Sequence, residues 1–349
     1  MKLSKLFTLT LLTFVIWSCQ KEELFVEPTN TLPENKVVAG SASLYPSLTL
    51  DFTLESSKST MGGFAGHSMT LFNGYLWLVG GDNGNTPPWT LNSEVRRSPN
   101  GIDWKLITSN LFDERRNHSL IVFKDKMWLI GGVNNDGEVL SDIWNTKDGI
   151  HWKRVNSLNP LLDIGQNSSV VFNERIYVFL GNGRVNEEVW SSLDGNNWRL
   201  ETDNAFPVRS HYKTIVFNGF IYVFGGWLRG GDLTNEVWAS PDGSYWYQKR
   251  PADAIFDARI NHTATVFDGK VWVMGGESWD ASGSRTFYGD IWYSTNMKYW
   301  SKYDEKPPFY KGLHSYESLV YKDKLWIFGG YRPDGSMASI LTNNIYSVD

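Results

Sequence analysis

Apolar residues along this chain fall in runs of about five, separated by turn residues. Tyr75 to Val79 is such a run, and it ends in the pair Gly80-Gly81. The same shape returns at Lys126, Arg175, Phe220, Lys270 and Lys324, at steps of 45 to 54 residues. The third copy is degenerate, with Leu180-Gly181 in place of the glycine pair. A second apolar run, such as Ser119 to Phe123, precedes each of these. Two turn residues join the two runs: Asn73-Gly74, Lys124-Asp125, Asn173-Glu174, Asn218-Gly219, Asp268-Gly269 and Lys322-Asp323. Asn-Gly and Asp-Gly between alternating runs predict hairpins.

Past the glycine pair comes a loop of variable length. An acidic-aliphatic-Trp strand follows, at Asp142 to Trp144, Glu188 to Trp190, Glu236 to Trp238 and Asp290 to Trp292. Next is a Ser-x-Asp-Gly-x-x-Trp turn, at Ser192 to Trp198 and Ser240 to Trp246, with looser copies ending at Trp104, Trp152 and Trp300. Four short strands per unit make one antiparallel sheet. Six such sheets around an axis hide their edges by closing into a ring.

The glycine pair after an aromatic strand, the downstream Trp and the Arg-x-His-like element before the first strand resemble the Kelch repeat. The resemblance covers about residues 57 to 349 and implies an all-β, six-bladed propeller of four-stranded antiparallel blades. It implies little about activity, because one scaffold carries unrelated functions. The sixth unit stops at its third strand, Ile345 to Asp349. Leu48 to Leu54 alternates with strand period. It is expected to supply the missing outer strand and so lock the ring.

The first residues read as an address. Lys2 and Lys5 precede an apolar run, Leu6 to Trp17, too short to span a bilayer. Ile16-Trp17-Ser18-Cys19 resembles the lipobox of bacterial lipoproteins, which implies cleavage before Cys19 and acylation of its thiol. Several acyl chains make a stable anchor. Gln20-Lys21-Glu22-Glu23 resembles a surface-export signal of outer-membrane lipoproteins in one group of Gram-negative bacteria; a solvated charged tether is the other reading. The expected domains are a signal peptide at 1–18, a lipidated Cys and flexible tether at 19–46, and the propeller at 47–349. The expected location is the outer membrane, facing outward or into the periplasm.

Composition narrows the function classes. Net charge is −5 over 349 residues, which argues against a nucleic-acid partner. The single Cys excludes an internal disulfide and a Cys-rich zinc site. It also excludes the copper chemistry of galactose oxidase, a Kelch relative that needs a Cys cross-linked to Tyr. No metal and no cofactor are expected. There are 17 Trp, and thirteen of them recur at matching strand positions, where they are expected to pack blade on blade. Trp17 lies in the signal. Trp89, Trp227 and Trp279 are left, each just after a glycine pair. His67, His118, His211, His262 and His314 are expected to open one first strand each, with Asn167 in that slot of the third unit and His211 offset by one. One per blade suggests a hydrogen-bonding strut. The turn acids Asp148, Asp194 and Asp242 are read as side-chain caps.

What remains gathers on the face formed by the second-to-third-strand loops and the links between blades. Functional residues favour such loops. Candidate ligand-binding residues are Trp89, Trp227, Trp279, Arg115, Arg209, Arg259 and Tyr331. Arginines at a channel mouth suit a carboxylate, sulfate or phosphate, or else brace the neighbouring blade. Trp among Asn, Asp and Arg suits a glycan, and also the anchors of a protein partner. The expected role is therefore binding of a glycan or a partner protein by a monomeric propeller, touching membrane only through its lipid. The alternative is a carbohydrate-active enzyme, such as a Kelch-type sialic acid mutarotase. Its candidate catalytic residues are Glu277 with Arg259 or Arg285.

Overall fold

The computed structural model describes residues 50–83, 90–155, 168–180, 186–333 and 339–349. The chain divides into two units, Met1–Ser47 and Leu48–Asp349, and every described residue belongs to the second. Six four-stranded antiparallel sheets form six blades, and no helix occurs among the described residues. Blade 1 comprises Ser68–Phe72, Tyr75–Val79, Val95–Ser98 and Lys105–Thr108, paired in that order. The inner strands of blades 2 to 6 are Ser119–Phe123, Ser168–Phe172, Lys213–Phe217, Thr263–Phe267 and Glu317–Tyr321. Each inner strand touches those of the blades on either side, so the six surround one axis.

The ring closes as expected. Phe52–Ser56 is the outer strand of blade 6 and pairs antiparallel with Ile345–Val348, Phe52 opposite Val348. It begins later than the alternation at Leu48 predicts. Leu50 is drawn instead into a buried cluster with Phe309 and Leu313, and its N–H donates to the Tyr303 hydroxyl at 3.2 Å.

The Trp pattern has a specific cause. Second-strand indoles close their own hairpins: Trp77 Nε1 donates to Phe72 O at 3.0 Å, and Trp128, Trp272 and Trp326 repeat this bond. The same ring faces then cover the turn of the next blade. Trp77 lies on Gly149, Trp128 on Gly195, Tyr177 on Gly243 and Trp326 on Gly101. A Cβ at Gly195 would stand 2.2 Å from Trp128, and the residue has φ +75°. The turn glycine is thus required twice, by contact and by conformation. The hydroxyl that opens each turn accepts its N–H, as Ser192 Oγ does from Gly195 N at 2.8 Å. Asp148, Asp194 and Asp242 cap two further N–H groups each, so these acids do serve the turns.

Two measurements check this architecture. Gly195→Ala is expected to lose about 1–3 kcal/mol from overpacking and about 1 kcal/mol more from left-handed backbone. The loss should shrink in combination with Trp128→Leu, so urea denaturation of the double-mutant cycle reads the contact directly. Removal of residues 48–62 opens the outer edge of blade 6 and should lower the melting temperature; unchanged melting would refute the closure.

Candidate functional site

The links and the loops meet in a regular way. In five blades, among the described residues, the link to the inner strand is bridged to the residue just past that blade's glycine pair. The pairs are Ala65 with Asp82, Arg116 with Val133, Ser210 with Trp227, Ile260 with Glu277, and His314 with Tyr331. Five post-glycine residues of different chemistry are therefore tied to the links that lead into the inner strands. Trp89, Asn167 and Cys19 lie outside the described residues.

Three of the candidate arginines do not face that mouth. Arg115, Arg209 and Arg259 are fully buried. Arg115 forks onto Asp142 at 2.7 and 3.0 Å and donates to Gly131 O at 2.8 Å. Arg259 holds Asp290 at 2.6 and 3.1 Å and Gly275 O at 2.9 Å. Arg209 meets Glu236 at 2.6 Å and Gly225 O at 3.2 Å. Each acid also accepts the indole N–H two residues on, from Trp144, Trp238 or Trp292. This explains the acidic-aliphatic-Trp spacing. Burial acts to raise the Asp142 and Asp290 carboxyls, but the guanidiniums beside them prevail and hold both below the usual range. All three arginines are struts, and Arg259 is not placed to serve Glu277 in catalysis.

The histidines also sort differently from expectation. The position just before each inner strand holds His67, His118, Tyr212, His262 and Tyr316. His211 lies one residue earlier and His314 two residues before Tyr316, so neither occupies the strut position. The strut rings lie against the first glycine of the preceding blade's pair, as His118 does on Gly80 and His262 on Gly225. Both ring nitrogens of His67 and His262 are buried without a hydrogen-bond partner, so these struts act by packing. Burial holds His67 and His118 down at about 3, hence neutral. Tyr212 differs: its hydroxyl donates to the buried Glu187 at 2.7 Å.

His211 instead lines the axial cavity, and His314 is buried. His314 is stacked between Phe287 and Tyr331, at 5.4 Å from each ring. Its Nδ1 lies 3.3 Å from Glu277 Oε1, which also accepts from Asn261 at 2.9 Å. The other Glu277 oxygen pairs with Arg285, on the same hairpin. Tyr331 donates to Asp82 at 2.7 Å, joining blade 6 to blade 1. Glu277 and Tyr331 are buried within these contacts. The tryptophans are placed otherwise. Trp227 and Trp279 meet edge to face at 5.6 Å across blades 4 and 5, and Trp227 is 39% exposed. Of the expected ligand-binding residues in view, this pair alone presents a broad apolar surface to solvent.

Sequence reasoning missed Glu187. Burial pushes its carboxyl up to about 8, against the pull of Tyr212 and the Arg209 N–H. Between the ordinary 4.5 and about 8, the unfolded chain ionises here while the folded one stays protonated. Stability therefore falls as pH rises through that window, by up to about 1.4 kcal/mol per pH unit. Glu187→Gln should flatten the stability profile between pH 5 and 8 and leave it unchanged below pH 4. Separately, Arg259→Met should cost about 3–5 kcal/mol, because it strands the Asp290 carboxylate. Denaturant titrations at fixed pH measure both.

Similarity to known proteins agrees with this architecture. The family model described as the Attractin/LZTR1 beta-propeller matches residues 76–341. An F-box/kelch-repeat protein of Arabidopsis thaliana is 29% identical over 64% of this chain and 53% of its own length. A leucine-zipper-like transcriptional regulator 1 homolog of Drosophila melanogaster is 22% identical over 76% of this chain and 29% of its own length. The chain thus spans about half of the first relative and under a third of the second. The solved structure of YjhT superposes with a TM-score of 0.65 at 13% identity, over 83% of this chain and 96% of that one. With its six repeats, its arginine–carboxylate struts and this match over most of its length, the chain belongs to the Attractin/LZTR1 group of Kelch-type β-propellers.

Proposed function

We propose that the propeller is the recognition domain of a lipid-anchored envelope protein and that it grips a partner protein on its loop-rich face. The carrying observation is the Trp227–Trp279 pair. Indoles are the residues most often found as energetic anchors of protein interfaces. Here they meet at right angles on the rim, with Trp227 open to solvent. Exposed arginines surround them: Arg229 on the Trp227 loop, and Arg285 opposite Trp279 on its hairpin. Kelch propellers generally bind protein partners, which supports the same reading.

A glycan is the competing ligand, and one feature weighs against it at this rim. The cavity that opens at the axis is not walled by Trp227 or Trp279, so neither indole face is set against a sugar ring bound there. The enzyme reading needs a free carboxylate. Glu277 is 3% exposed and engaged by Arg285, Asn261 and His314. The anchor rests on Cys19 within its lipobox-like setting, and the outer membrane, surface-exposed or periplasmic, is the proposed location.

The test is chemical cross-linking in intact cells that carry the full chain or its Trp227→Ala form. A partner whose capture falls about 30-fold in the variant, near 2 kcal/mol, supports the reading. Equal capture by both forms sinks it. A glycan array run beside it, positive and Trp-dependent, would transfer the site to a sugar. For the anchor, an alkyne-labelled fatty acid should mark the wild-type chain and not Cys19→Ala; equal labelling would remove the lipoprotein proposal.

A further inference from the structure

A cavity of about 220 Å³ lies on the axis beneath the loop-rich mouth. Its walls are tiers of one residue per blade. The upper tier is Gly66, Asn117, His211, Asn261 and Ser315, all with φ between +53° and +60° and all half-buried, so the cavity opens there. Backbone bonds tie this tier into a rim: Asn117 N–H to Gly66 O, Gly66 N–H to Ser315 O, and Ser315 N–H to Asn261 O, at 2.9–3.0 Å. The strut rings come next. Below them stand the first inner-strand residues, Ser68, Ser119, Ser168, Lys213, Thr263 and Glu317. The fourth residues of those strands are Leu or Val in all six blades, and the cavity wall stops short of them.

The charge of this wall is decisive. Its fixed charges are Lys213 and Glu317, which pair with each other at 3.2 Å from blade 4 to blade 6. Arg115, Arg209 and Arg259 are absent from the wall. Every other polar group is neutral: hydroxyls, two asparagine amides, and imidazoles that burial keeps uncharged. A lone carboxylate within the cavity would have to take Lys213 from Glu317, and the nearest further fixed cation, Arg116, stands outside the wall beside Gly66 and His211. Ser168 bonds Thr214 at 2.5 Å, Ser318 bonds both Thr263, at 2.6 Å, and Thr265, and Ser68 donates to His118 O at 2.5 Å; each of these hydroxyls keeps acceptor capacity to spare. Ser169 Oγ on the same wall is buried with no partner. The volume is below the ~300–1,000 Å³ of ordinary ligand pockets, which limits the guest to a single sugar ring or less.

We propose that the axial cavity is a binding site for a small uncharged polyol, a monosaccharide or smaller, received through the loop-rich mouth. Ring hydroxyls replace the several waters, at about 30 Å³ each, that the cavity otherwise admits. The Lys213–Glu317 pair offers a strong donor and a strong acceptor side by side, matched to neighbouring hydroxyls. This site is separate from the Trp rim and does not depend on it.

Ligand-observed NMR on the full chain in detergent tests the proposal, with glucose, galactose, mannose, myo-inositol and glycerol as probes. At least one should show saturable binding. Glucuronate and glucosamine, the same ring with one added charge, should bind at least tenfold more weakly than glucose wherever glucose binds. Glu317→Gln and Ser169→Leu should each weaken the best probe tenfold or more, with folding checked by thermal melting. The proposal fails if no probe saturates, which would mean a cavity for water only. It fails equally if the charged analogues match the neutral sugar, or if binding survives both variants. The comparison of charged and neutral probes needs no variant, so a substitution that unfolds the chain leaves the test intact. Partner capture is read in a different assay, so the failure of one reading is distinguishable from failure of the other.

Discussion

The contact on which this propeller depends is a large ring laid on bare backbone. Second-strand rings from one blade cover the turn glycine of the next, and a β-carbon there would sit inside the ring. The arrangement fixes both the spacing and the tilt of adjoining sheets, because a flat ring and a flat peptide meet in one way only. It links Trp77, Trp128, Tyr177 and Trp326 and the turn glycines beneath them as two halves of one device. Blade 5 shows how far the device bends. Met297 takes the glycine position at φ +62°, and Tyr222, the second-strand ring of blade 4, belongs to the same buried cluster. A left-handed methionine costs conformational energy, offset by burial of the side chain to 1% exposure.

Repetition made the fold legible. Hairpin turns, glycine pairs and Trp positions recur at one period, and the unpaired sixth blade pointed to an N-terminal strand that is indeed there. What repetition cannot show is which partner a repeated residue has. Arg115 and Asp142 are 27 residues apart, and Arg259 and Asp290 are 31 apart. An arginine near a channel mouth looks the same in sequence whether its side chain turns toward the axis or into the blade. The geometry turns all three inward. A usable signal existed all the same: the arginines recur at a fixed distance before the strut position, as a scaffold residue would.

The histidines illustrate a different limit. Matching by residue type placed five of them in one slot. Matching by strand start separates His67, His118 and His262 from His211 and His314, and admits Tyr212 and Tyr316. The slot asks for a flat ring able to lie against a glycine, and tyrosine meets that demand as well as histidine. The residue just before it asks for left-handed backbone, which Gly, Asn, His and Ser supply here. Two unlike steric demands on adjacent residues thus account for the recurring rings and for the histidine that falls one residue early in blade 4. Glu187 escaped notice for a related reason. It stands beside the repeated acid Glu188 and has no counterpart acid in the other five blades, where Ser93, Ser141, Asn235, Gly289 and Asn343 occupy the position.

The division between repeating and varying positions has an energetic basis. Scaffold residues are coupled to a neighbouring blade, so a change in one must be answered across the interface. Residues at the first inner-strand position border the axial cavity on one side, and there the serines, Lys213, Thr263 and Glu317 differ from blade to blade. The residues after the glycine pair, Asp82, Val133, Trp227, Glu277 and Tyr331, differ as well, although four of the five are buried. A charge in the axial wall would ordinarily carry a heavy desolvation cost. Lys213 and Glu317 escape most of it, because their side chains stay 31% and 22% exposed and neutralise each other. Two blades have therefore acquired opposite charges where the others keep hydroxyls or a second polar residue. The pair passes over blade 5, so the closed ring that brings blades 4 and 6 within reach of each other is itself a condition for that chemistry at the axis.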